Sequence, residues 1–125
     1  MLFKKKHVKL ILEGRKTATR RLTGRYKRGK VYAVQDRLYS RARCYILIVG
    51  KYRQKLGDMG EEDIRKEGCL SREEFIREWE ESYGPGSYRP DLEVWVYEFK
   101  LIRGDFIKRQ RTQTKRRLRE NDACC

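Results

Sequence analysis

The run Cys44-Tyr45-Ile46-Leu47-Ile48-Val49 sets the terms for the fold. Apolar residues fill its odd and its even positions, so a strand built from it has to be covered on both faces. It lies within a longer extended segment, residues 41–52, which Gly50 can bend. The chain has 125 residues, 38% of them apolar and 40% charged, enough for one domain with one modest core. The cover for the central strand has to come from the few other patterned segments.

Those segments are short. Residues 30–35 read as a strand, with Val31, Tyr32, Ala33 and Val34 in a row. In residues 93–102, Trp95, Tyr97, Phe99 and Leu101 alternate onto one face, while Val94 and Val96 begin the other. Residues 4–13 read as a helix with Val8, Ile11 and Leu12 on one face, and Gly14 sits where a left-handed cap would end it. Residues 61–66 form a short helix stopped near Gly68. Ser71 and Glu74 make a capping box ahead of a helix whose stripe is Phe75, Ile76, Trp79 and Tyr83. That stripe is expected to be core and to plug the sheet. Gly84-Pro85-Gly86-Ser87 is a turn. The order implies an α+β fold, a small, partly open β-barrel with flanking helices. The barrel domain is expected over residues 1–102. Residues 103–125 read as a basic tail, flexible or weakly helical until it meets an anion, or else merely solubilising.

The net charge of +14 and a pI near 9.9 point to a polyanionic partner, nucleic acid first and anionic membrane second. No run approaches the ~20 apolar residues of a membrane span, and the N-terminus lacks the apolar core of a secretion signal. A cytoplasmic protein is expected. The cysteines, Cys44, Cys69, Cys124 and Cys125, form no C-x-x-C pair, and His7 is the single histidine. Neither zinc spacing nor a disulfide framework is evident, and there is no nucleotide-phosphate loop, so no metal or cofactor is expected.

The chemistry concentrates in Gly14-Arg15-Lys16-Thr17-Ala18-Thr19-Arg20-Arg21. A glycine, a lysine, two threonine hydroxyls and three arginines at a helix-to-strand junction suit a site that holds an anion or acts on a polar group. A basic, aggregation-resistant strand edge is the plainer reading. Residues 23–30 add a basic loop in which Arg25, Lys27 and Arg28 surround Tyr26, a ring that could stack on a base or be only a loop residue.

Three pieces resemble the ASCH domains of the PUA-like superfamily. The first is the helix followed by Gly14-x-Lys16-x-x-x-Arg20. The second is Leu56-Gly57-Asp58 leading to Lys66-Glu67-Gly68-Cys69 and the capped helix, with Cys69 where an aromatic often stands. The third is the closing strand, Val94-Trp95-Val96-Tyr97-Glu98-Phe99. The resemblance covers roughly residues 2–102. It implies a PUA-like barrel with a cleft beside the G-x-K motif and an RNA or nucleotide-like ligand. Gly14, Arg15, Arg20 and Arg21 would bind that ligand. The basic loop (Arg25, Tyr26, Lys27, Arg28) and the tail (Lys108, Arg109, Arg111, Lys115, Arg116, Arg117) would hold RNA. Some members are amidohydrolases that deacetylate N4-acetylcytidine with a lysine, a threonine and a glutamate; in this chain those fall on Lys16, Thr19 and Glu67. The arginine of the motif falls on Arg21 in one alignment and on Arg20 in the other.

Two physical constraints bear on that chemistry. A threonine hydroxyl needs a base, and lysine serves as one only with a lowered pKa, which Arg15, Arg20 and Arg21 would favour and a paired Glu67 would oppose. Glu67 could instead move protons while Lys16 stabilises negative charge. On a regular strand Lys16 and Thr19 also face opposite ways, so their convergence requires a bend near Lys16.

Overall fold

The computed structural model describes residues 1–103. The basic tail, with Lys108, Arg109, Arg111, Lys115, Arg116 and Arg117, lies outside the described residues. Helix α1 spans Lys5–Leu12 and strand β1 Ala18–Arg21, followed by β2, Val31–Val34, and β3, Cys44–Lys55. A 3₁₀ turn at Leu56–Asp58 leads to α2, Glu61–Lys66, and α3, Arg72–Tyr83. Strand β4, Glu93–Leu101, closes the fold.

The strands form one antiparallel sheet in the order β1-β4-β3-β2, curled into a half-barrel. β3 and β4, the most apolar segments, take the two central places. The pairing slips between Ile48 and Gly50, where a β-bulge bends the long strand. Both edges stay short, four residues each.

Two apolar clusters lie against this sheet. The first joins Phe3, Val8, Ile11, Tyr26, Val34, Ile46, Ile48, Tyr97 and Phe99. The second joins Leu56, Met59, Ile64, Cys69, Phe75, Trp79 and Val94. The alternation along β4 distributes its residues between them: Tyr97 and Phe99 enter the first, Val94 the second. The helix covering the aromatic face of the sheet is therefore α1, not the aromatic helix α3. Aromatic side chains already fill that face, with Phe3 edge-on to Phe99 and Tyr26 edge-on to Tyr97. The small side chains of α1 fit over them. The large rings of α3 pack where β3 ends and β4 begins, against Leu56 and Val94.

Both α1 and α2 end in the same device. Gly14 N donates to Ile11 O at 3.0 Å and Arg15 N to Leu10 O at 2.9 Å. Gly68 N donates to Arg65 O at 2.8 Å and Cys69 N to Ile64 O at 3.1 Å. Each is a Schellman turn, with a glycine in the left-handed region at φ +79° and +86°. At α3, Ser71 Oγ accepts from Glu74 N, but the Glu74 carboxylate turns to Leu70 N, so the capping box closes on one side only.

Candidate functional site

The two Schellman turns deliver the charged residues to one place. After the first, Lys16 N also donates to Leu10 O, and Thr17 N then crosses to Lys66 O, the last residue of α2. Regular pairing with β4 begins only at Ala18. Lys16 therefore stands ahead of the strand, on the bent junction that convergence requires. Glu67 is the C-cap residue of α2 and faces it.

Lys16 Nζ donates to Glu67 Oε1 and to Glu67 O, both at 3.0 Å. Arg20 Nη1 donates to the other carboxylate oxygen, Oε2, at 2.8 Å. The three residues are 2%, 5% and 4% exposed for Lys16, Glu67 and Arg20. Arg20 is further held by Gln54 Oε1, at 2.9 and 3.1 Å, and by Asp63 Oδ1 at 3.2 Å. One carboxylate thus bridges two buried cations. Both protein hydrogen bonds of Lys16 Nζ go to Glu67, one of them to its carboxylate, so the lysine and the glutamate are direct ion-pair partners. Its third N–H has no protein partner among the described residues.

These residues line a cleft of about 540 Å³. Thr19 and Arg21 come into it from β1, Phe3 and His7 from the N-terminal segment and α1, and Phe75, Glu78, Trp79 and Tyr83 from α3. Trp79 and Tyr83 pack at a tilt of 41° with ring centres 4.4 Å apart. Phe75 and Trp79 are core as expected, but Tyr83, at the end of the helix, is exposed at the cleft instead of buried. The two arginines reach the cleft by different routes. Arg20 is saturated by acceptors beside Glu67. Arg21 donates to Leu2 O at 2.6 Å and to Thr19 Oγ1 at 3.3 Å and covers the Phe3 ring, with no carboxylate paired to it among the described residues.

Other expected site residues fall elsewhere. Gly14 and Arg15 are exposed on the turn and do not line the cleft. Arg25, Lys27 and Arg28 are exposed on their loop, but Tyr26, expected there as a stacking ring, is only 8% exposed. It packs edge-on against Tyr32 and Tyr97 in the first core cluster, because the loop folds its one large apolar group under the sheet rather than offering it outward.

One pair was not foreseen. His7 Nε2 lies 2.8 Å from Glu78 Oε2, and Lys6 Nζ lies 2.6 Å from Glu78 Oε1. Burial, then the Lys16 charge, hold the imidazole below its ordinary pKa despite Glu78. The carboxylate can only accept, so the neutral ring carries its proton on Nε2 and leaves Nδ1 as a lone pair, with no partner among the described residues. The signal available was His7 itself, the single histidine, about two turns ahead of the motif along an amphipathic helix. Burial pushes the Glu78 carboxyl up, but Lys6 and His7 outweigh it and hold it below the usual range. The Cys69 thiol, raised to about 12 by burial and by Glu78, stays protonated and donates to Glu78 Oε2 at 3.6 Å. Cys69, Glu74 and Glu78 place their donor atoms within 4.8 Å of one another. Glu78 is already engaged by Lys6 and His7, and no fourth liganding group joins the three among the described residues.

No family model matches the sequence, and no curated protein does. Solved structures share the fold. Protein EF3133 from Enterococcus faecalis V583, of family DUF984, aligns with a TM-score of 0.60 at 23% identity over 76% of this chain and 66% of that one. An ASCH domain from Lactobacillus crispatus JV V101 aligns at 0.59 and 18% identity, over 76% and 69%. The hypothetical protein PH0355 aligns at 0.60 and 19% identity, over 82% and 96%. The chain spans just under two thirds of the first of these. Its fold is ASCH-like, the α+β, partly open barrel expected of the sequence. No helix among the described residues is long and apolar enough to cross a membrane.

Two stability measurements check the site. Glu67→Gln leaves two buried cations facing each other, whereas Lys16→Met keeps the apolar stem and leaves Arg20 and Glu67 paired. Glu67→Gln is expected to cost about 3–5 kcal/mol in urea denaturation, and Lys16→Met clearly less; equal losses would contradict the bridging role. For His7, the lowered folded-state pKa means that the unfolded chain binds the proton first. Stability is then full above the ordinary imidazole pKa and falls as pH drops through it. Between about pH 7 and pH 5 the wild type should lose stability and His7→Gln should show a flatter profile. Glu78 contributes with the same sign but below that window.

Proposed function

We propose that the cleft binds a nucleobase-bearing ligand, presented as a nucleotide within RNA. The observation that carries this reading is the pairing of an aromatic wall with surplus cations at one cleft. Tyr83, 41% exposed, is the ring a base would meet, with the edge of the buried Trp79 beside it in the cleft wall. Arg21 and Arg37 line the same cleft without paired carboxylates among the described residues and can take a phosphate. Lys16, with a free N–H, supplies a donor at the floor. The net charge of +14 exceeds what a free nucleoside calls for and favours a polyanion. Arg25, Lys27 and Arg28 and the tail residues Lys108, Arg109, Arg111, Lys115, Arg116 and Arg117 then serve the phosphate backbone.

A second reading is favoured by Thr19 and by the His7 lone pair. It is the hydrolysis of an acylated base such as N4-acetylcytidine: water adds to the acyl carbon, acetate leaves, and the exocyclic nitrogen regains a proton. In that chemistry His7, rather than Lys16, is the group arranged to accept the proton, and Lys16 with Arg21 offsets the negative charge that develops. Cytidine released by the wild type but not by His7→Gln would support it, and no release from the folded protein would remove it.

The binding reading is tested with labelled single-stranded RNA titrated at several salt concentrations. Log K should fall linearly with log salt, by about 0.7 per phosphate contacted. Arg21→Ala should weaken binding, and deletion of residues 103–125 should flatten the slope. Affinity that ignores both salt and Arg21→Ala would refute the proposal.

A further inference from the structure

Tyr39 stands out as an aromatic residue that the fold has no internal use for. It is 94% exposed and, among the described residues, the one non-glycine residue with a left-handed backbone, at φ 63°. It occupies the third position of the turn Arg37–Ser40, closed by Ser40 N donating to Arg37 O at 3.1 Å. That position ordinarily calls for glycine, and a bulky residue there is strained. The strain is held in place from all sides. Ser40 Oγ donates to Arg37 O at 2.7 Å, Gln35 Nε2 donates to Ser40 O at 2.5 Å, and Arg43 Nη1 donates to Asp36 Oδ2 at 2.6 Å. The loop is thus built rigidly around an outward-facing ring.

Its surroundings identify the partner. Asp36 and Arg37 line the cleft, so Tyr39 sits two residues beyond the cleft mouth. Arg41 and Arg43 are exposed on the other side of it. Leu38, also exposed, is its one apolar neighbour in the turn, too little apolar surface for a protein interface core. A flat ring among cations beside an aromatic-walled cleft fits a chain that alternates phosphates with planar bases.

We propose that Tyr39 is the stacking platform for the nucleotide adjoining the one in the cleft, with Arg37 and Arg41 on the intervening phosphates. The ligand is therefore single-stranded RNA entered past the β2–β3 loop, not an isolated nucleotide. This rests on the binding reading above. The ring that serves RNA is Tyr39, in place of the buried Tyr26.

The test uses Tyr39→Gly, because glycine relieves the left-handed strain and should leave the protein at least as stable in urea. A merely structural tyrosine would predict no loss of binding from that change. Affinity for a short single-stranded RNA should fall by about 5- to 150-fold, the range expected for one lost base stack. Tyr39→Phe, which keeps the ring, should bind within about twofold of wild type by the same reasoning. Binding of cytidine monophosphate should be unchanged in both variants. Wild-type RNA affinity in Tyr39→Gly would overturn the inference and leave the loop to some other partner. An equal loss for RNA and cytidine monophosphate would overturn it too, by making the loop part of the cleft itself. A wild type that binds neither ligand would instead refute the binding reading on which it rests.

Discussion

The Glu67 carboxylate is the interaction on which the rest of the site depends. It neutralises Lys16 from one oxygen and Arg20 from the other, in a space that admits almost no water. Two cations cannot be buried side by side without it. Its placement is a backbone achievement. Glu67 caps α2, and Gly68 turns the chain back at φ +86°, so the carboxylate projects toward β1 instead of continuing around a helix. A Cβ on Gly68 would come within 2.9 Å of Leu10 Cδ1 and 3.3 Å of Lys16 Cβ. The glycine therefore sets both the turn and the distance at which the lysine stem passes.

Much of this was legible in the sequence, because it rests on local rules. A glycine after an apolar helical stripe reads as a helix end whatever it packs against, and both Gly14 and Gly68 obey. The doubly apolar Cys44–Val49 run could only be central, and the alternation from Trp95 to Leu101 could only be one sheet face. The grouping of Lys16, Thr19 and Glu67 was implied by the resemblance to ASCH domains, which left the arginine open between Arg20 and Arg21, and the odd spacing of Lys16 and Thr19 called for a bend. What was not legible depends on which helix lies over which part of the sheet. The stripe Val8, Ile11 and the stripe Phe75, Trp79 are equally good core faces in isolation. Only the space left by Phe3, Tyr26, Tyr97 and Phe99 decides that the smaller one covers the barrel. The His7–Glu78 pair was hidden for the same reason, since its members lie 71 residues apart on α1 and α3.

The two tyrosines make the point about exposure. Tyr26 lies among basic residues in a glycine-flanked loop, and Tyr39 in a loop with fewer glycines and less obvious charge. Composition alone favours the first as the outward ring. Structure reverses them, because Tyr26 finds Tyr32 and Tyr97 at 5.1 and 5.4 Å, while the turn at Arg37–Ser40 leaves Tyr39 no neighbour to pack on. A loop's sequence states which residues are available to face solvent. The turn type and the nearest gap in the core decide which ones do.

The costly features of this small domain gather around a single opening. Two buried cations, a buried carboxylate, a desolvated histidine and a left-handed tyrosine each lower stability relative to a plainer choice at the same position. Trp79 adds an indole N–H that is buried without a hydrogen-bond partner; the other such group among the described residues, Ser87 Oγ, lies in the turn after α3 and away from the cleft. Elsewhere the local and global signals agree: helices are stopped by glycines, strands alternate, and the sheet edges are short. A chain of this size has little stability in reserve. Concentrating its exceptions at one cleft is the pattern expected when the exceptions serve a ligand, because scattered strain would carry the same cost and support no site.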